Sequence, residues 1–327
     1  MRTCHYQTIA DNLYAFNTFR CRAAEIHSEH AMLERFTEPE YRHPLDAGAL
    51  LIRGTQGCTW NKCNYCYVSR GYRFMAATPE EMEEELRAKA GKKPADTRVW
   101  LVGSNPFCLP TRKLLEYVRL IRKYYPEFSE ISMQSRASDI ASKSMGELRE
   151  LRDAGIQNLF IGMESGDEET LRFLNKGHTA ALTLEQLGRL NEADLGFSAL
   201  YMLGAAGAGK GEENGVATAA LLSRVRPRMV STTGLTVFPN TPLFEFRQKG
   251  AFAEASEEEK IRELLAFIRN LEQSTFLYSL HYLNPVHFSV PLPDDKEKIV
   301  QALERFLAEN TAEEIEEMVN RADMRSL

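Results

Sequence analysis

Six short apolar segments, each followed by a helical pattern, most constrain the fold of this chain. They are rich in β-branched and aromatic residues: ALLIRG (49–54), TRVWLVG (97–103), EISMQS (130–135), NLFIGM (158–163), FSALYMLG (197–204) and RMVSTTGLTV (228–237). Nearly continuous hydrophobicity, without strict alternation, is typical of parallel strands covered by helices. The sequence therefore predicts an α/β protein built from βαβ units. Periodicity alone does not choose between an open sheet and a barrel.

Capping signals mark the predicted helices between these strands. A Ser or Thr followed three residues later by Glu or Gln predicts a helix start, and it occurs at Thr78/Glu81, Ser144/Glu147 and Thr183/Gln186. The second and third of these helices are predicted to end at Gly155 and Gly196, because glycine tolerates the left-handed conformation at a helix end.

The chain divides into three predicted regions. Residues 1–45 contain the helical pattern AAEIHSEHAMLERF and form an N-terminal helical extension. Residues 46–240 hold the six strands and form the core. Residues 241–327 contain an acidic helical run and a last helix around DKEKIVQALERFLAE, and they form a C-terminal helical extension.

Composition is that of an ordinary enzyme of 327 residues, with 43% hydrophobic and 26% charged residues. The longest apolar runs fall far short of the roughly 20 residues of a membrane-spanning helix, so no membrane association is expected. The N-terminus lacks a secretory signal pattern, which predicts a cytoplasmic location. A formal net charge of −6 disfavours nucleic acid as the main partner, because proteins whose main function is to bind nucleic acid usually carry a basic excess that neutralises phosphates.

Three of the six cysteines, Cys58, Cys63 and Cys66, lie in the segment GTQGCTWNKCNYCYVSRGY (54–72). This segment follows the first predicted strand, so it lies at the carboxyl end of that strand, where α/β folds build their sites. Thiolates favour zinc or iron–sulfur clusters. The spacing C-x4-C-x2-C predicts that one loop supplies three metal ligands.

The nature of the fourth ligand separates the alternatives. Structural zinc normally takes four protein ligands, and here a fourth would have to come from outside the loop, from Cys108, His43 or His178. Cysteines that merely fill a core would not lie among Asn, Lys, Thr and Gly. The pattern favours an iron–sulfur cluster with one open iron and leaves zinc as an alternative.

The cysteine loop, with Tyr65 directly before Cys66, resembles that of the radical S-adenosylmethionine (SAM) superfamily. Four more blocks resemble, in order, those of a group of radical SAM proteins with an IGxESG block: VWLVGSNPFCLP, NLFIGMESGDEETLRFLNKGHT, MLGAAGAGKGEENGVATA and LTVFPNTPLFEFRQKGAF. The usual loop of the superfamily is C-x3-C-x2-C. The longer C-x-x-N-x-C form of the resembled group fits Asn61.

This resemblance implies a partial (β/α)6 radical SAM barrel, which is TIM-barrel-like, with helical N- and C-terminal extensions. It also implies a [4Fe–4S] cluster on the three cysteines, with SAM on the fourth iron. Reductive cleavage of SAM would give methionine and a 5′-deoxyadenosyl radical that abstracts hydrogen from a substrate.

The resemblance further assigns the cofactor contacts to nine residues: Tyr65, Gly103, Ser104, Asn105, Ser135, Glu164, Lys176, Tyr201 and Leu203. Structural roles are the alternatives for several of them. The GSNP turn (103–106) has ordinary turn composition and no carboxylate, Glu164 could cap the next helix, and Lys176 could complement a helix dipole.

Four residues are candidates on the substrate side: Cys108, Arg136, Tyr278 and His281. The predicted partners are a small-molecule substrate and an electron donor such as flavodoxin or ferredoxin. We interpret the sequence as that of an enzyme that abstracts hydrogen from a small or medium organic substrate. The alternatives are radical SAM modification of tRNA or a protein, and a non-catalytic zinc or iron–sulfur protein.

Overall fold

The computed structural model describes residues 35–90, 97–319 and 321. The predicted N-terminal helix lies almost entirely outside these ranges, as do Cys4 and Cys21. None of the helices in the described ranges is long and apolar enough to cross a membrane.

Within the described ranges, the strands are β1 (Leu50–Arg53), β2 (Thr55–Gln56), β3 (Met75–Ala76), β4 (Arg98–Val102), β5 (Glu130–Ser135), β6 (Ile156–Glu164), β7 (Gly196–Leu203), β8 (Met229–Gly234), β9 (Thr275–Tyr278) and β10 (Ser289–Leu292). The helices are α1 (Pro79–Lys89), α2 (Thr111–Tyr124), α3 (Ala137–Ala141), α4 (Met145–Ala154), α5 (Glu168–Phe173), α6 (Ala180–Glu192), α7 (Gly211–Leu222), α8 (Pro242–Gln248), α9 (Glu257–Asn270), α10 (Lys296–Glu309) and α11 (Ala312–Glu317). Short 3-10 helices span Pro44–Asp46 and Pro106–Cys108.

The main sheet has the strand order β1-β4-β5-β6-β7-β8-β9-β10, and β2 and β3 form a separate antiparallel pair. All six predicted strands are present in the main sheet and pair in parallel with their neighbours along the chain. The sheet is open, with β1 at one edge and β10 at the other. The predicted α/β partial barrel is therefore confirmed, and the carboxyl ends of its parallel strands share one end of the sheet.

Two strands that the sequence pattern did not predict continue this sheet. β9 pairs in parallel with β8, and β10 pairs antiparallel with β9. The described part of residues 241–327, a region predicted as a helical extension, thus contains four helices and also the last two strands. Each of these strands has only four residues, which is too short for a clear periodic signal.

Both faces of the sheet are apolar, as expected for parallel strands that are buried on both sides. The main core, under the helices, receives one or more side chains from each of the eight strands of the main sheet: Ile52, Leu101, Met133, Ile161, Leu203, Val230, Leu277 and Val290. Alternate residues form a second apolar cluster on the other face: Ala49, Trp100, Val102, Phe160, Met229 and Tyr278. This alternation places the two clusters on opposite sides of the strands.

Two of the three predicted capping boxes are confirmed. Thr78 caps α1 together with Glu81, and Ser144 caps α4, which ends at Gly155 with a φ of +117°. The third prediction is wrong at both ends. Helix α6 begins one turn earlier with Thr179 as its N-cap, and it ends at Glu192. Thr183 lies inside this helix, where its hydroxyl donates to the Thr179 carbonyl at 2.9 Å.

The added strand β9 contributes to the main core, which yields a stability prediction. Leu277 is fully buried, whereas its neighbour Phe276 is 36% exposed. We expect Leu277→Ala to lower the free energy of unfolding by about 2–5 kcal/mol, because it leaves a cavity in the core. Urea denaturation of the apo-protein measures this loss.

The matched control for that variant is Phe276→Ala on the same strand. It should cost less than Leu277→Ala, because a large part of the phenyl ring is already in contact with water. Equal losses for the two variants would show that β9 is not packed in the core as described.

Candidate functional site

The three clustered cysteines lie in the loop that leaves the carboxyl end of β1. Cys63 is buried, whereas Cys58 and Cys66 are half-buried. Asn61 has a φ of +47°, a conformation that asparagine tolerates better than most residues. Its amide donates to the carbonyls of Ser69, at 2.9 Å, and Tyr72, at 3.3 Å. A left-handed turn at Asn61 therefore accommodates the four-residue spacing between Cys58 and Cys63.

The surroundings of the thiols combine burial with donors that suit thiolates. Burial raises the pKa of Cys63, while the nearby charges of Lys176 and Arg136 counteract the rise. Burial also raises the pKa of Cys66 to about 11, and backbone N–H groups of Ser69 and Val68 oppose this by bonding to its sulfur. The Lys176 and Arg136 cations and these backbone N–H groups thus favour the thiolate form of the cysteines, which is the form that binds metal.

This donor set fits an iron–sulfur cluster. The three cysteines share one loop, and each interacts electrostatically with another of them. Within the described part of the chain, no three His, Cys, Asp or Glu side chains are already gathered around a metal position. Binding a cluster requires these thiols to lose their protons.

Glu38, which precedes the barrel, connects both ends of the cysteine loop. Its carboxylate is 4% exposed and accepts hydrogen bonds from Gly57 N at 2.6 Å and Ser69 Oγ at 2.7 Å. It also accepts one from Ser104 Oγ at 3.2 Å. The GSNP turn has no carboxylate of its own, and Glu38 supplies one beside Ser104. No sequence signal pointed to this residue, because it lies outside the motifs.

Gly103 and Asn105 of the GSNP turn hold the loop in place. Gly103 has a φ of +144°, and a Cβ at this position would lie 1.9 Å from Thr55 Oγ1. Asn105 is fully buried, and its amide nitrogen donates to Thr59 Oγ1 at 2.7 Å and to Asp139 Oδ2 at 3.0 Å. The structure therefore places the Asn105 side chain inside the protein, and its predicted contact with SAM stays a prediction.

The structure brings together Tyr65, Glu164 and Lys176. Lys176 Nζ lies 3.2 Å from Glu164 Oε1 and 3.3 Å from Tyr65 Oη. Although burial by itself lowers the pKa of Lys176, the charges of Glu164 and Cys63 raise it above its ordinary value. Glu164 adopts a φ of +64°, unusual for a residue other than glycine, and its carboxylate folds back over Gly162.

Polar atoms without partners surround this ion pair. The Arg136 guanidinium lies 5.2 Å from the centre of the Trp60 ring and donates to the Lys176 carbonyl, but its Nε has no partner among the described residues. The same residues offer no partner to either ring nitrogen of His178. Burial and the charges of Lys176 and Arg136 lower the His178 pKa to about 3, so its imidazole is neutral. Unsatisfied buried groups are expected where a polar ligand binds.

Three other predicted contacts occupy less direct positions. Ser135 is buried, and its hydroxyl donates to the Arg136 carbonyl at 3.0 Å. The Tyr201 side chain points away from the cysteine loop toward α9, where its hydroxyl donates to Glu263 at 2.6 Å. Leu203 packs in the main core, and its carbonyl accepts from Leu235 N at 2.8 Å. The side chains of Tyr201 and Leu203 are therefore used inside the protein, and only their backbone groups are left for the predicted contact with SAM.

The substrate-side candidates are not gathered in one place. Cys108 lies in the 3-10 helix after the GSNP turn, and burial raises its pKa to about 12. The Tyr278 ring lies 4.7 Å from that of His43. His281 stacks on Tyr282 and accepts from Leu283 N. Among these four candidates, Arg136 alone contacts the Lys176 region directly.

The cysteine loop and the Lys176 region both lie within a segment that matches a known protein family. Residues 52–205 match the model described as the Radical SAM superfamily. This chain contains a radical SAM domain. The cofactors of the domain are a [4Fe–4S] cluster and SAM, as the resemblance of the cysteine loop implied.

Solved structures of radical SAM enzymes share the fold. Coproporphyrinogen III oxidase (HemN) from Escherichia coli aligns with a TM-score of 0.52 and 16% identity, over 68% of this chain and 51% of that one. The radical SAM methyltransferase TsrM from Kitasatospora setae, solved with cobalamin and a [4Fe–4S] cluster, aligns with a TM-score of 0.51 and 17% identity, over 67% and 45%. HydG, a maturase of the [FeFe]-hydrogenase, aligns with a TM-score of 0.50 and 15% identity, over 78% and 54%.

At these identities the likeness concerns the fold alone. The chain spans about half the length of these three structures. A search of curated proteins finds no match. The reaction and substrate therefore have to be argued from the residues of this site.

The position of the thiols predicts which cysteines bind iron. We expect Cys63→Ala to abolish cluster binding, because it removes one of only three loop ligands. Cys108→Ala should keep its iron, because Cys108 lies outside the loop. Iron content and the visible absorption spectrum after anaerobic reconstitution measure both outcomes. A Cys108→Ala protein without iron would show that the ligand set is different.

Proposed function

We propose that this protein reductively cleaves SAM and abstracts hydrogen from a small or medium organic substrate, in oxidoreductase-type chemistry. The observation that carries the proposal is the buried Lys176–Glu164 ion pair beside the three-cysteine loop. The bound cluster and SAM would supply a 5′-deoxyadenosyl radical, a chemistry that no side chain provides.

The ion pair matches the charges of the amino-acid part of SAM. Lys176 is complementary to a carboxylate, and Glu164 is complementary to an ammonium group or to ribose hydroxyls. Both side chains are largely buried, with 5% and 15% exposure. A zwitterion that separates them would pair each charge again, so that no buried charge is left without a partner.

The unpartnered groups next to the pair support the same proposal. Arg136 Nε and both nitrogens of His178 offer further hydrogen-bonding positions within the site. Because His178 is neutral, one ring nitrogen donates and the other accepts. We propose that these groups contact bound SAM or the substrate.

The charge of the cysteine loop supports an electron donor as partner. Residues 54–79 contain Lys62, Arg70 and Arg73 but no Asp or Glu, although the whole chain has a net charge of −6. Lys62 and Arg73 are exposed. A basic rim around the cluster site is complementary to a small acidic redox protein such as flavodoxin or ferredoxin. Such a donor, like the metal-binding thiols, is consistent with a cytoplasmic location. That location stays a prediction.

The proposal predicts cleavage of SAM by the reconstituted protein. With dithionite we expect about four irons per chain, as a cubane cluster requires, and the release of 5′-deoxyadenosine and methionine. Liquid chromatography coupled to mass spectrometry measures both products. A parallel reaction with a flavodoxin and its reductase tests the basic rim.

The other functions give different results in the same experiment. Tightly bound zinc without SAM cleavage would support a non-catalytic metal protein and contradict the proposal. Deuterium transfer from labelled tRNA or protein, but not from small molecules, into 5′-deoxyadenosine would support a macromolecular substrate.

Lys176 has a prediction of its own. We expect Lys176→Met to lower the affinity for SAM about tenfold or more, because a charge-assisted hydrogen bond contributes about 1.5–3 kcal/mol, while the iron content is retained. Anaerobic equilibrium dialysis measures the affinity. Lys210→Met is the matched control, because Lys210 forms an exposed pair with Glu169. Unchanged SAM binding by Lys176→Met would restrict Lys176 to a structural role.

A further inference from the structure

Glu263 is a buried carboxylate that the family match does not include. It lies on α9, beyond residues 52–205, and it is fully buried. It accepts three hydrogen bonds: from Tyr201 Oη at 2.6 Å, from Gly204 N at 2.7 Å and from Asn214 Nδ2 at 2.6 Å. Two of these donors belong to β7 and the turn that follows it, the segment assigned to SAM.

Helix α7 connects Glu263 to the loop after β6. The side-chain Oδ1 of Asn214 accepts from Ser165 Oγ, and Thr218 Oγ1 accepts from Gly166 N at 2.9 Å. Ser165 directly follows Glu164. One carboxylate on α9 therefore contacts the turn after β7 directly and the loop after β6 through Asn214.

Close packing of α7 on α9 makes this connection possible. A Cβ at Gly215 would lie 2.5 Å from the Glu263 carbonyl oxygen, so a larger residue would separate the helices. The turn after β7 is equally tight. Gly204 has a φ of +80°, and a Cβ there would lie 2.8 Å from Lys260 Cε.

The donors to Glu263 are all neutral. The charge of Lys260, one turn earlier on α9, lowers the Glu263 pKa, but the Lys260 ammonium bonds to Glu257 at 2.7 Å. Arg321 also bonds to Glu257. Burial raises the pKa of Glu263 to about 7, and the three donors and Lys260 oppose this rise.

The other elements packed on α9 bring their ionisable groups to different positions. β7 contributes Tyr201, and α7 contributes the neutral Asn214. From α10, Glu304 pairs with Arg269. From α11, Glu316 accepts a hydrogen bond from Glu257 N.

We propose that Glu263 is a positioning residue for SAM, whose carboxylate fixes the turn at Gly204 and, through Asn214, the loop that carries Glu164. This inference rests on the proposed function, because it takes SAM as the ligand of these two loops. The ionised form is the competent one, since all three neighbours donate to it. Protonation would remove the negative charge and place a hydrogen on one of the two accepting oxygens, which weakens the hydrogen bonds that the carboxyl accepts.

The first experiment measures SAM affinity against pH for the reconstituted protein. In the wild type we expect affinity to fall, by up to about tenfold per pH unit, as the pH drops below about 7. Glu263→Gln should bind SAM about tenfold more weakly at pH 8, as loss of about 1.4 kcal/mol implies, and should lose this part of the pH dependence. Glu258→Gln is the matched control, because Glu258 bonds to the exposed Arg262 on the same helix.

A second variant keeps the test independent of the stability of Glu263→Gln. Tyr201→Phe removes one donor that lowers the Glu263 pKa. The fall in SAM affinity should therefore begin at a higher pH than in the wild type. If Glu263→Gln and Tyr201→Phe both show the pH dependence of the wild type, the inference is wrong.

Amide hydrogen exchange separates this inference from the proposed function. In the protein without SAM, Glu263→Gln should increase exchange at Gly204, because the acceptor of its N–H is changed, whereas Glu258→Gln should not. Failure of the wild type to bind SAM, with this exchange result obtained, would reject the proposed function and the role toward SAM but support the loop contact. Unchanged exchange at Gly204 would reject the contact itself.

Discussion

Parallel hydrogen bonding between consecutive strands is the constraint on which the site depends. β1, β4, β5, β6, β7 and β8 pair in chain order, so their carboxyl ends come to one end of the sheet. Segments that are far apart in sequence therefore meet there. The loop after β1 supplies the thiols, and the segment after β6 supplies Glu164 and Lys176. Without parallel pairing these groups would lie at opposite ends of the strands.

Buried carboxylates from outside the six-strand unit hold the loops of the site. Glu38 comes from the segment before β1 and bonds to both ends of the cysteine loop. Glu263 comes from α9 and bonds to the turn after β7. In both cases a carboxyl oxygen accepts a hydrogen bond from a backbone N–H group, that of Gly57 or of Gly204, which has no partner within its own tight loop. The segments flanking the barrel thus contribute to the geometry of the site as well as to the fold.

Charge within the site is arranged in compensating pairs. Glu164 and Lys176 neutralise each other, and the cations near Cys63 oppose the effect of burial on its thiol. His178 stays uncharged because burial lowers its pKa and two nearby cations lower it further. A buried site with balanced charges can admit a zwitterionic ligand without leaving a lone charge, which an isolated lysine or glutamate could not do.

Local pattern by itself determined the six parallel strands, the caps at Thr78 and Ser144, and the cysteine loop with Tyr65 directly before its last cysteine. These features depend on periodicity or on contacts within a few residues, both of which can be read along the chain. The tertiary structure decided the cap of α6 at Thr179, the added strands β9 and β10, and the roles of Glu38, His178 and Glu263. The contacts of Glu38 with Gly57 and of Glu263 with Gly204 join residues 19 and 59 positions apart. Such contacts depend on the path of the folded chain, because a buried carboxylate has no periodic signature until the strands bring its donors to it.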